Sequence, residues 1–178
     1  MCIDDFKSEL AECGDGGVES LQSVYASWHT VEGILRVWID CIGDPELESG
    51  ASWLLKHWIE AGREIHSADQ HKLLTRLNAV TAWQARLHLL QILEFLLIPE
   101  DLQETVARFC NESILSTNKF VRAWGYSGMV TLAKRWPRYT ASALDAIKIG
   151  ENEDAASVRA RVRKIRQTIP DDWGINDV

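Results

Sequence analysis

Five basic residues, Arg159, Arg161, Arg163, Lys164 and Arg166, fall within eight consecutive positions near the C-terminal end of the chain. Guanidinium groups at that density can hold carboxylates or phosphates through paired, charge-assisted hydrogen bonds. Metal chemistry is a second candidate, because His57, Glu60 and Glu64 stand at i, i+3 and i+7 and one helix can present all three on a single face. A di-iron carboxylate bundle, however, requires Glu-x-x-His on two helices with further glutamates opposite. One cluster exists here, in reversed order, and it reads as a polar strip beside Trp53 and Trp58. His66 and His71 are five apart across a helix start, while His29 and His88 have no ligand near them in sequence. No metal is expected.

Nucleophilic catalysis would need a serine or cysteine on a strained turn within reach of a base, and no G-x-S-x-G elbow exists. Gly125-Tyr126-Ser127-Gly128 has a suggestive composition but lies in the middle of a helical pattern, whereas phosphate-cradling glycines precede a helix. Glycine there costs about 1 kcal/mol per residue against alanine, so a close approach by a neighbouring helix, beneath Trp124, is the expected compensation. With no catalytic constellation and no cofactor signature, the sequence points to a binding surface and not to an enzyme.

The elements that position these residues are helices. Apolar residues at helical spacing predict helices over 18–42 with a break at His29-Thr30, then 46–65, 68–78, 82–97, 99–116, 119–136, 139–149 and 155–169. Ser67-x-x-Gln70 and Thr81-x-x-Gln84 have the pattern of capping boxes. Glu46 and Glu48 complement the dipole at the start of their helix. Paired, the segments make four hairpins, at about 18–65, 67–98, 99–136 and 138–169. An acidic segment, 1–17, precedes this domain of 18–170 as a loosely docked helix or a tail, and 171–178 forms a C-terminal tail whose Trp173 is placed to dock back on the last hairpin. Trp28, Trp38, Trp53 and Trp58 all fall on apolar stripes and are expected in or near the core.

Two of these hairpins repeat one another. Asn118 precedes Val121-Arg122, followed by Gly125, Gly128, Met129 and Leu132; Asp154 precedes Val158-Arg159, followed by Val162, Ile165 and Ile169. The offset between the Val-Arg pairs is 37 residues, and a fainter copy, Ala85-Arg86 with Leu89, Ile92 and Leu96, lies 36 residues before Arg122. A helical phrase recurring at that period marks stacked hairpins, each with an apolar face that its neighbours cover. The organisation resembles the HEAT repeat family. The resemblance implies an all-α fold, a right-handed alpha-alpha superhelix of about four HEAT-like helical hairpins. It also implies second helices that stack side by side and a ladder between opening acid and arginine along the inner surface, although Asn118 replaces the acid in one copy. For Arg86, Arg122 and Arg159 it thus offers a stacking role, with a basic line on the concave face as the functional reading.

At 178 residues, with 46% apolar and 25% charged residues, the chain can bury a core without disulfides or metals. Cys2, Cys13, Cys41 and Cys110 form no C-x-x-C pair, and nothing at the N-terminus resembles a signal peptide, so a reducing cytoplasm with free thiols is expected. The most apolar stretch, Leu87 to Ile98, contains His88, Gln91 and Glu94 and is far shorter than the roughly 20 residues of a membrane span. Net charge is −7 but polarised: residues 1–60 hold 12 acids and 3 bases, whereas 119–178 hold 7 acids and 11 bases.

That polarity suits an acidic partner at the C-terminal end, or head-to-tail self-association. At the 37-residue offset Arg122 aligns with Arg159, Tyr126 with Arg163 and Met129 with Arg166. The candidate surface is therefore Arg122, Tyr126, Arg159, Arg163 and Arg166, a basic C-terminal groove for a protein or acidic peptide. A polar end cap on the last repeat is the alternative account of the same arginines. The resemblance also admits a nucleic-acid-binding protein related in fold to DNA glycosylases for alkylated bases. No catalytic aspartate with its aromatic companions can be matched, and the acidic net charge disfavours duplex DNA, whose binding rests on phosphate neutralisation.

Overall fold

The computed structural model describes residues 2–13 and 17–173, and every regular element among them is helical. The chain divides between Leu97 and Ile98 into two compact units. The first holds α1 (Ile3–Cys13), α2 (Val18–Trp28), α3 (Ile34–Asp40), α4 (Glu48–Glu60), α5 (Ser67–Thr75) and α6 (Trp83–Ile92). The second holds α7 (Gln103–Ile114), α8 (Lys119–Arg135), α9 (Thr140–Glu151) and α10 (Ala156–Arg166). Among the described residues no helix is long and apolar enough to cross a membrane.

In the first unit the chain over 18–42 breaks after Trp28, at the expected His29-Thr30, into α2 and α3. Gly33 separates them at φ +78°, a left-handed conformation that side chains with a Cβ disfavour. Gly62, at φ +76°, stops the chain just after α4 in the same way. The acidic N-terminal segment is a docked helix: Phe6 and Leu10 are buried, Phe6 meets Trp28 edge-on at 5.4 Å, and Trp28 Nε1 donates to Glu9 Oε2 at 2.6 Å. Gly50 lets α1 come that close, since a Cβ there would stand 2.6 Å from Leu10 Cδ1. Trp28 and Trp38 are buried, whereas Trp53 and Trp58 are half-buried.

Neither capping box forms. Ser67 is the first residue of α5 and Gln70 works over longer range, its amide donating to the Ile65 carbonyl at 2.6 Å and its oxygen accepting from the Leu97 N–H at 2.6 Å. At the start of α6, Glu48 takes over the cap from another helix. Buried in the first turn of α4, its Oε1 accepts from Thr81 N at 2.9 Å, from Thr81 Oγ1 at 2.7 Å and from Ala82 N. Glu48 thus ties α4 to α6 besides standing at the positive end of its own helix.

In the second unit α8 is the central element, packed against α7, α9 and α10. Gly125 explains one of these contacts: a Cβ there would stand 2.8 Å from Ile114 N and 3.0 Å from Ser113 C, so α7 and α8 touch backbone to backbone. The close approach expected at the mid-helix glycines is made at Gly125, and it comes from α7. In the other hairpin, a Cβ on Gly150 of α9 would stand 2.6 Å from Val162 Cγ2 of α10. Positions 113 and 125 become 150 and 162 on adding 37, so the two hairpins of this unit cross at equivalent positions. Trp173 packs against the core that α8, α9 and α10 share.

Candidate functional site

The arginine that follows each repeated valine or alanine does the same local work in all three copies. Arg122 Nη1 donates to the Ser116 carbonyl at 2.8 Å and the Thr117 carbonyl at 3.0 Å. Arg159 Nη1 donates to the carbonyls of Glu153 and Asp154, the latter at 2.8 Å. Arg86 Nη2 reaches the Val80 carbonyl at 3.2 Å. Each arginine stands in the first turns of its helix and reaches back six residues, where the backbone between helices has carbonyls without a helical donor. These guanidiniums fasten the turns that precede α6, α8 and α10.

The ladder between opening acid and arginine takes a different form from the expected one. Asn118 caps α8 with its side chain, accepting from Phe120 N at 2.9 Å and Val121 N at 3.4 Å. The cap of α10 is Ala155, which has no side chain to offer, so Asp154 is not the counterpart of Asn118. The acid that meets Arg122 is Glu153, with Nε and Oε2 3.5 Å apart. Glu153 Oε1 accepts from the Tyr126 phenol at 3.0 Å. Burial first, then the hydrogen bond to Glu153 and that carboxylate's charge, push the phenol up to about 12 against the opposing effect of Arg122. Tyr126 is 1% exposed, with its ring against Gly150. Arg122 and Tyr126 thus belong to the joint between the two hairpins of this unit, and Tyr126 has no face to offer a partner. Met129 is buried as well.

The other three candidates come together. Arg159, Arg163 and Arg166 line an open groove of about 530 Å³ whose wall also carries Glu151 and Asp171 and whose apolar part is Ile169 and Pro170. Arg166 Nη1 is held by Glu151 Oε1 at 2.5 Å. Arg163 is exposed and has no ion-pair partner among the described residues. Three guanidiniums against two carboxylates leave the groove with a net positive charge. Arg161 turns to the other side of α10, over the Trp124 ring at 3.5 Å and with its Nε donating to Ser127 Oγ at 2.8 Å, and so fastens α10 to α8. Sequence reasoning missed Glu151, Glu153 and Asp171. Glu153 is legible as the residue six before Arg159, but Glu151 meets Arg166 only through the turn of the hairpin.

In the first unit His57, Glu60 and His88, singled out from the sequence, are engaged with their neighbours. His57 lies parallel to Trp53 at 4.9 Å and meets Tyr25 edge-on at 4.5 Å, while Glu60 pairs with Lys56 at 2.8 Å. Ser52 and His88 are in contact, Oγ to Nδ1 at 3.0 Å. The Ser52 hydroxyl is buried and also bonds to the Ser49 carbonyl at 2.9 Å, so no substrate can approach it. Burial and then Lys56 lower the His88 imidazole to about 4, against Glu60.

In comparisons with known proteins, no family model, curated protein or solved structure matches the chain. The functional reading therefore rests on the geometry of its own residues.

Proposed function

We propose that this chain is a noncatalytic HEAT-like interaction module, a right-handed superhelix of about four hairpins, whose groove on α10 receives an acidic segment of a protein partner. The observation that carries the reading is Arg163, an exposed guanidinium without an ion-pair partner among the described residues, flanked by two further arginines in one groove. The repeat reading is supported by the equivalent helix crossings at 113/125 and 150/162 and by the recurring arginine that fastens each turn. A reducing, cytoplasmic setting fits Cys2, Cys13, Cys41 and Cys110, none of them in a disulfide among the described residues.

Nucleic acid is the competing ligand. Glu151 and Asp171 in the groove wall weigh against it, because each would face a phosphate backbone. The test is affinity capture with wild type and an Arg163→Glu/Lys164→Glu variant. The charge-reversed chain is expected to lose the partners that wild type retains, and recovery of the same partners by both refutes the assignment. A low-salt gel shift with DNA or RNA that the variant abolishes would favour the competing ligand.

A further inference from the structure

The groove has a neighbour of its own making. Beyond α10 the chain turns at Pro170, and the N–H of Trp173 donates to the Pro170 carbonyl at 3.1 Å, closing one 3₁₀ turn over Asp171–Trp173. Asp171 stands in the groove wall with Arg159, Arg163 and Arg166. Two residues on, the Trp173 indole packs, partly buried, against the core shared by α8, α9 and α10. The order is two carboxylates, then an aromatic. That order suits the groove and its border: Asp171 stands beside the guanidiniums, and the indole lies on the apolar core next to them.

The strap is weakly held. Asp171 pairs with none of the three arginines, so Arg163 stays open beside it and the groove keeps its volume of about 530 Å³. Among the described residues, one turn and one partly buried indole hold this segment. We infer that Asp171–Trp173 is a tethered stand-in for the partner, and that the groove takes protein segments in which an acidic pair is followed by an aromatic residue. Such a segment displaces the strap, pairs with Arg163 and fills the site that the indole leaves. A tethered competitor acts at an effective concentration near the millimolar range, so it lowers the apparent affinity of a free segment by the fraction of time it occupies the site. The inference rests on the groove being a protein-binding site and adds the class of partner and its regulation.

The experiment is a fluorescence-anisotropy titration of a labelled peptide with the sequence of residues 168–173 into the full chain. Trp173→Ala is expected to bind it about tenfold more tightly than wild type, and adding Arg163→Glu to that variant is expected to abolish the gain. A second measurement spares the strap: in wild type carrying 5-fluorotryptophan, with Trp173 assigned through Trp173→Phe, saturating peptide is expected to move the Trp173 signal to a solvent-exposed position. Equal affinity for wild type and Trp173→Ala, or a Trp173 signal that stays fixed while the peptide binds, overturns the inference. An oligo-glutamate control separates the two levels. Where either of those two results is found, oligo-glutamate binding that Arg163→Glu abolishes leaves the groove standing and only the strap's role falls; if neither peptide binds any variant, both fall.

Discussion

Replacing Glu48 by alanine tests whether a buried carboxylate on α4 holds the start of α6. The Glu48 side chain is fully buried, and its Oε1 alone serves Thr81 N, Thr81 Oγ1 and Ala82 N, while α6 has no side-chain cap of its own. Alanine leaves two amides and a hydroxyl without an acceptor. A buried donor left unsatisfied costs about 1–3 kcal/mol, and the loss of an N-cap about 1 kcal/mol. Water entering the space left by the side chain recovers part of this, so the expected loss is about 3–5 kcal/mol. Glutamine is the informative contrast. It keeps an oxygen for the same three donors but gives up the charge, and hydrogen bonds to neutral acceptors are about half as strong as those to ionised ones. Its expected cost is about 1–2 kcal/mol. Urea unfolding followed by helical circular dichroism measures both. An alanine variant within about 1 kcal/mol of wild type, or a glutamine variant as damaged as alanine, refutes the cap.

Three further outcomes follow from the same geometry. Because His88 is lowered from 6.5 to about 4 in the folded chain, the unfolded state binds more protons between these values; the stabilisation is whole above pH 6.5 and is lost as pH falls towards 4. Urea midpoints at several pH values should show a decline on the order of 3 kcal/mol over that window, flattened in His88→Gln. Tyr126, raised from 10.0 to about 12, has the opposite dependence: its contribution is whole below pH 10 and is lost as pH rises through 12. Tyr126→Phe should cost about 1 kcal/mol at neutral pH and remove that alkaline slope, as read by thermal melts across the alkaline range. Gly125→Ala gains about 1 kcal/mol in helix propensity but drives a Cβ to 2.8 Å from the backbone nitrogen of Ile114, so a net loss of about 1–3 kcal/mol in urea midpoint is expected.

Local periodicity carried the helices because amphipathic spacing is set by the same few neighbours in sequence and in space. Gly33 and Gly62, whose positive φ apolar spacing does not register, were passed over, whereas Asn118, which acts within its own turn, was legible ahead of Val121-Arg122. The capping boxes failed for the opposite reason. Ser67 and Thr81 had the right pattern, but Gln70 found Ile65 and Leu97, and Glu48 reached Thr81 from 33 residues away. A distant carboxylate that meets three donors at once outweighs a local amide that meets one, and no window of sequence contains both partners. Tyr126 was misplaced by the same blindness. Its position beside Arg122 looks like a binding pair, yet α8 is covered by three helices, so a residue one turn beyond the arginine faces inward.

That burial sharpens what is particular about α10. Adding 37 to Tyr126 and Met129 gives Arg163 and Arg166. In α8 these positions are buried, Tyr126 among residues of α9 and α10; among the described residues the equivalent face of α10 carries the turn at Asp171–Trp173. An uncovered face must be polar to stay in solution, and that requirement accounts for charge at 163 and 166 without any partner. It does not account for sign. Solubility is served by either charge or by both mixed, whereas here three guanidiniums converge on one groove and Arg163 remains unpaired among the described residues. Arg159 is already committed to the turn and Arg166 to Glu151. The part of the pattern that neither the repeat nor solubility requires is therefore Arg163, and the case for a partner rests on that side chain.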